Sequence, residues 1–175
     1  MNLSFAPLTA DDMATLAMIL RVSGLPNLRI INLSGNSSGD AGMQALCEGL
    51  INCTAPSLEC IQLADSGLGP ASAEAFAAAL RRGALAGLER MYFTYNPIGN
   101  QGMAALAPLR SLPRLRVLSL IGCEIGDEGV TSLVKDVGKD DFKALETILL
   151  AENEITDKGK AMLVDALGSG RVTVG

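Results

Sequence analysis

Apolar residues along this chain follow two alternating rhythms. Short stretches such as Ile61-Gln62-Leu63 alternate apolar with other residues, the period of a strand, and the stretches after them space apolar residues three and four apart, the period of a helix. The two rhythms recur together five times. Aligned on a first leucine, the copies read Leu28-x-x-Ile31-x-Leu33-x-x-Asn36, Leu58-x-x-Ile61-x-Leu63-x-x-Ser66, Leu88-x-x-Met91-x-Phe93-x-x-Asn96, Leu115-x-x-Leu118-x-Leu120-x-x-Cys123 and Leu145-x-x-Ile148-x-Leu150-x-x-Asn153. Successive copies begin 30, 30, 27 and 30 residues apart. The helical parts align too: Gly42, Ser72, Gly102, Gly129 and Gly159 are followed four residues on by Leu46, Phe76, Leu106, Leu133 and Leu163. Four further on stand Leu50, Leu80, Val137 and Leu167, with Arg110 in the third copy. A fixed period of this size marks one strand–loop–helix unit stacked on itself, because a single unit cannot bury its apolar face alone.

Positions outside this alternation predict the ends. Thr9-x-x-Asp12 reads as the N-cap of a helix from Ala10 to Val22, whose Met13, Leu16, Ala17 and Leu20 form one apolar face over the first copy. Val172 and Val174 match the strand positions of a sixth copy. The expected organisation is a single domain over 1–175, with a helical cap at 1–24, five repeats at 25–167 and a partial sixth strand at 168–175. Pro108 and Pro113 predict a shortened helix in the 27-residue third copy, since proline is costly in a helix interior. At the last position of the motif, an asparagine amide can satisfy loop backbone groups that would otherwise be buried unpaired, at about 1–3 kcal/mol each. Ser66 and Cys123 are weaker partners there, so their own turns are expected to be the softer ones.

The L-x-x-L-x-L-x-x-N/C core, with Gly-Asp-x-Gly downstream at Gly39–Gly42 and Gly126–Gly129, resembles the ribonuclease-inhibitor type of leucine-rich repeat over residues 25–174. The resemblance implies an α/β fold: a leucine-rich-repeat solenoid with a curved parallel β-sheet on the concave side and α-helices on the convex side. It also implies a non-catalytic protein–protein interaction module, an adaptor, scaffold or small subunit of a larger assembly, binding through the concave face. A second reading is a regulator of small-GTPase hydrolysis similar to the Ran GTPase-activating proteins, although their functional polar residues find no match here. A third is a fragment of a longer receptor or effector.

Composition narrows the chemistry. A net charge of −5, with all five lysines after residue 130, provides no basic stripe for nucleic acid. The chain has no histidine, so Ser-His and Cys-His catalytic pairs are excluded, and Cys47, Cys53, Cys60 and Cys123 lack CxxC spacing for a metal. The recurrence of Gly-Asp-x-Gly argues for a role in the repeat, a close helix–strand approach, rather than a phosphate loop. No cofactor, metal, membrane insertion or small-molecule substrate is expected; the expected partner is another protein. Of the four glycosylation sequons, at Asn2, Asn32, Asn36 and Asn52, the alignment buries the one at Asn36, where a glycan would not fit. That points to the cytoplasm.

Strand alternation turns Ile30, Cys60, Arg90, Val117 and Thr147 outward in one row and Asn32, Gln62, Tyr92, Ser119 and Leu149 in the next. Both tyrosines of the chain fall in the third copy, beside an arginine, and Tyr and Arg dominate binding hot spots. The candidate partner site is therefore Arg90, Tyr92 and Tyr95 with an apolar flank of Val117, Ile121 and Leu149. A secondary acidic edge comprises Glu124, Asp127, Glu128, Glu152, Glu154 and Asp157, suited to a basic partner.

Overall fold

The computed structural model describes residues 1–51, 54–135, 137–138 and 140–174; Cys53 and the Asn52 sequon lie outside these. Six strands, β1 (Ile30–Asn32), β2 (Cys60–Gln62), β3 (Arg90–Tyr92), β4 (Val117–Ser119), β5 (Thr147–Leu149) and β6 (Val172–Thr173), form one parallel sheet in chain order. The helices are α1 (Ala10–Ser23), α2 (Gly39–Gly49), α3 (Pro70–Arg81), α4 (Gly99–Ala105), α5 (Asp127–Val134) and α6 (Asp157–Leu167). Strands sit about 4.8 Å apart whereas helices are about 10 Å wide, so stacking such units bends the array with its strands inside. Leucines from both layers meet between them, with Phe76 of α3 edge-on to Phe93 after β3 at 5.8 Å.

Thr9 and Asp12 make a reciprocal capping box, and Met13, Leu16, Ala17 and Leu20 are buried. Residues before α1 add something the alternation did not predict: Leu3 and Phe5 donate backbone N–H groups to the Asn32 and Ser34 carbonyls, lining the open edge of β1. At the other end Ile148 and Leu149 pair with Val172 and Thr173. In the third copy α4 is seven residues long, followed by a 3-10 turn at Ala107–Ser111. Val137 does not join a helical face, because α5 ends at Val134.

The asparagine positions link neighbouring copies, and this changes which turns are weak. Asn96 is fully buried; its Nδ2 donates to the Leu63 and Phe93 carbonyls at 2.7 Å, and its Oδ1 accepts from Ser66 N and Leu68 N at 3.0 Å. The turn that carries Ser66 is thus held by the asparagine of the following copy. Asn153 does the same for Cys123 N and Ile125 N, and Asn36 for Ala6 N and Leu8 N. Ser66 Oγ and Cys123 Sγ only donate, to the Leu33 and Phe93 carbonyls respectively. The turns at Ser66 and Cys123 are therefore not the under-supported ones: among the described residues, it is the turns of the first and third copies that receive no asparagine side-chain acceptor from the next copy, although Gly99 N donates to the Cys123 carbonyl at 2.9 Å. Asn153 is half-buried rather than buried, because only β6 stacks beyond it.

A second polar device explains Gly-Asp-x-Gly. Asp40 Oδ1 accepts from Gly69 N and Ser72 N at 2.8 and 3.0 Å, capping the helix of the next copy. Asn100 caps Gly126 N and Gly129 N, and Asp127 caps Thr156 through its N and Oγ1. The last glycine makes room for this side chain: a Cβ on Gly159 would lie 2.3 Å from Asp127 Oδ1, and one on Gly129 2.7 Å from Asn100 Oδ1. The close approach is between a helix and the previous copy's cap, not between helix and strand. In the second copy the position is Pro70, which has nothing to cap with.

Candidate functional site

The register places Arg90 between Cys60 and Val117, and Tyr92 between Gln62 and Ser119. Leu149 lies beyond Ser119, about 10 Å across the sheet from Tyr92. Arg90, Tyr92, Val117, Ile121 and Leu149 are all half-buried, forming a low floor. Ser119, which alternation turns outward, is buried and bonded to Thr94 Oγ1 at 2.9 Å. Arg90 Nε is buried without a hydrogen-bond partner. Cys60 sits on the same floor but is 3% exposed, and burial holds its thiol above the usual range. Burial also pushes the Cys47 thiol up to about 12 and the Cys123 thiol to about 11, so none of the three is poised as a nucleophile.

Tyr95 departs from the other five. It follows the strand in the left-handed region (φ 57°), and its ring stands at the loop rim, 52% exposed. It crosses Gly122, where an added Cβ would lie 2.5 Å from the ring. Its hydroxyl donates to Glu152, 3.2 Å from Oε1 and 3.3 Å from Oε2. That bond, reinforced by the carboxylate charge, raises the phenol above its ordinary value. Tyr95 therefore belongs with the acidic edge rather than with the floor of the concavity.

The acidic edge itself divides. Glu124, Glu152 and Glu154 are exposed on loops. The Asp127 carboxylate is occupied in capping α6, and the Thr156 hydroxyl and N–H hold its pKa below the usual 3.8. Glu128 and Asp157 stand in the first turns of α5 and α6, where negative charge suits the helix dipole.

Two features escaped the sequence reading. Every copy carries a charged residue directly after its first leucine: Arg29, Glu59, Glu89, Arg116 and Glu146. These line the opposite rim, with Arg29 on Glu59 and Arg116 on Glu146 at 2.8–2.9 Å. The recurrence is visible in the sequence, but it lies just before the strand rows that alternation turns outward. Glu89, Arg90, Arg116, Val117 and Glu146 enclose a hollow of about 210 Å³ there. The second feature is Phe5, 75% exposed and lying over Gly35 as Tyr95 lies over Gly122. No repeat register reached that far toward the N-terminus.

Comparison with known proteins agrees with this architecture. A family model described as Leucine Rich repeat matches residues 24–47, 88–107 and 112–134. The ribonuclease inhibitor of Mus musculus is 31% identical over 169 residues, which is 95% of this chain and 36% of that protein. The ribonuclease inhibitor of Sus scrofa is 31% identical over 170 residues, with the same shares. NACHT, LRR and PYD domains-containing protein 12 of Homo sapiens is 30% identical over 167 residues, 94% of this chain and 15% of that protein. The chain thus spans about a third of the length of the ribonuclease inhibitors it matches.

Proposed function

Because this chain is a leucine-rich-repeat protein of the ribonuclease-inhibitor type, we propose that it is a non-catalytic binding module, an adaptor or small subunit, whose protein partner docks on the concave floor and the Tyr95 rim. Tyr95 is the observation that carries this. An exposed aromatic ring seated on a glycine and tied at its hydroxyl has little side-chain freedom left to lose on binding. Arg90 supports it as a half-buried cation on the same floor, a residue type enriched at binding hot spots. Glu124, Glu152 and Glu154 beside Tyr95 favour a basic surface on that partner. The absence of histidine and the raised thiols favour binding over catalysis. We place the chain in the cytoplasm because Asn36 of the Asn36-Ser37-Ser38 sequon is buried in the fold. Among the described residues no helix is long and apolar enough to cross a membrane.

The two ribonuclease inhibitors name a first target to try, a ribonuclease. Titration of the chain against a panel of ribonucleases, read by calorimetry and by inhibition of RNA hydrolysis, tests the reading directly. Tyr95→Ala should weaken a true complex by about thirtyfold, and Arg90→Glu comparably. The affinity should also fall with salt, because the acidic rim is solvent-exposed. A partner held at wild-type affinity by both variants would show that the concave face is not its site. Stimulated GTP hydrolysis on small GTPases is the separate assay for the second reading.

A further inference from the structure

The outer face of α1 differs from every other helix face. Of the described large apolar side chains that are exposed on helices, Met18 (59%), Ile19 and Val22 (81%) are on α1, and only Val164 is elsewhere. The corresponding face of α5 carries Glu128, Thr131, Ser132 and Lys135. Spacings of three and four put Asp11, Ala14, Met18 and Val22 on one side of α1, with Arg21 at its margin. Beside that stripe runs a groove of about 280 Å³, lined by Ala14, Ala17, Met18 and Val22 of α1 and Ala45 of α2, with the charged Arg21 and Glu48 at its walls. Its small side chains leave space, while Val22 stands clear of the surface. One patch therefore offers both a protruding apolar side chain and a place to receive one.

Its charges are arranged in the same self-complementary way. Asp11 lies in the first turn of α1 and Arg21 in the last, about 15 Å apart along the axis. Both are exposed, and neither takes part in an ion pair among the described residues. Two such helices crossing antiparallel near residue 16 bring Asp11 of each to Arg21 of the other, at both ends of one contact. A surface that matches itself under a twofold axis is the condition for an isologous dimer.

We infer that α1 is a self-association surface, on which two copies of this chain pack their α1 helices antiparallel, with Met18 and Val22 of each against the groove of the other. The patch lies on the helical side, away from the Tyr95 rim, and does not rest on the binding reading above. A single 14-residue helix supplies an interface smaller than the roughly 1,200 Å² of a stable complex, so the dimer is weak and concentration-dependent.

Sedimentation equilibrium of the chain, taken up to about millimolar concentration, should show a monomer–dimer equilibrium. Val22→Glu should be monomeric throughout, with unchanged circular dichroism because Val22 contributes almost nothing to the core. Asp11→Arg alone and Arg21→Asp alone each place like charges at both ends of the contact and should weaken self-association by about tenfold. An equal mixture of those two variants restores opposite charges at both ends and should form the heterodimer at near wild-type strength. Three results would overturn the inference: a wild-type chain monomeric at every concentration, association that persists in Val22→Glu, or association indifferent to the charge reversals. The last would indicate unspecific apolar contact.

Discussion

The junction between the second and third copies and the one between the third and fourth are held by opposite sides of the repeat. At the former, Asn96 makes bonds on the loop side to four backbone groups, while Pro70 leaves the helix start uncapped from below. At the latter, Cys123 gives the loop side one weak donor, and Asn100 caps the helix start instead. The junction of the first and second copies repeats the latter pattern with Ser66 and Asp40. That of the fourth and fifth has both devices, in Asn153 and Asp127. Each of the four junctions between the five full copies thus carries at least one of the two kinds of polar bridge.

Removing the bridge that satisfies the most deeply buried backbone groups should do most damage. Asn96→Ala strands four buried backbone groups and should cost about 3–4 kcal/mol in urea denaturation. Asn153→Ala, made on a half-buried side chain that water can replace, should cost about 1–2 kcal/mol. Equal losses at the two sites would break the comparison. Asn100→Ala removes an inter-copy helix cap and should cost about 1 kcal/mol.

Gly122→Ala sharpens the contrast between rim and floor. It strains a backbone at φ 62° and evicts the Tyr95 ring, so stability should drop by about 1–2 kcal/mol. Without Glu152 as acceptor the Tyr95 phenol should then titrate lower, which ultraviolet absorbance at high pH would reveal. The smallest effect is the acid response of Asp127. Its folded pKa lies below the ordinary 3.8, so its contribution is complete above that value and fades as pH falls through the folded one. Asp127→Asn should therefore lose part of the wild-type's destabilisation below about pH 4; identical acid profiles would show that the cap contributes nothing.

Much of this was legible because the signals were local. The strand rows, the asparagine positions, the Thr9–Asp12 box and the short third helix follow from side-chain spacing within one copy. The candidate site was legible as a set of outward rows, but not as a surface. Alternation could not say that Tyr92 and Arg90 would be half-buried, that Asp127 would be committed to α6, or that charges after the first leucine would line a rim.

What the sequence determined by itself is the unit: a 27–30-residue period in which strand and helix rhythms alternate, with polar residues at fixed addresses. Only the tertiary structure decided what those addresses serve. Asn96 reaches a turn 28–30 residues earlier, Asp127 a helix start 29 residues later, and Tyr95 a carboxylate 57 residues away. Stacking brings such distant positions within hydrogen-bonding range, and periodicity within one copy carries no record of which neighbour supplies the partner.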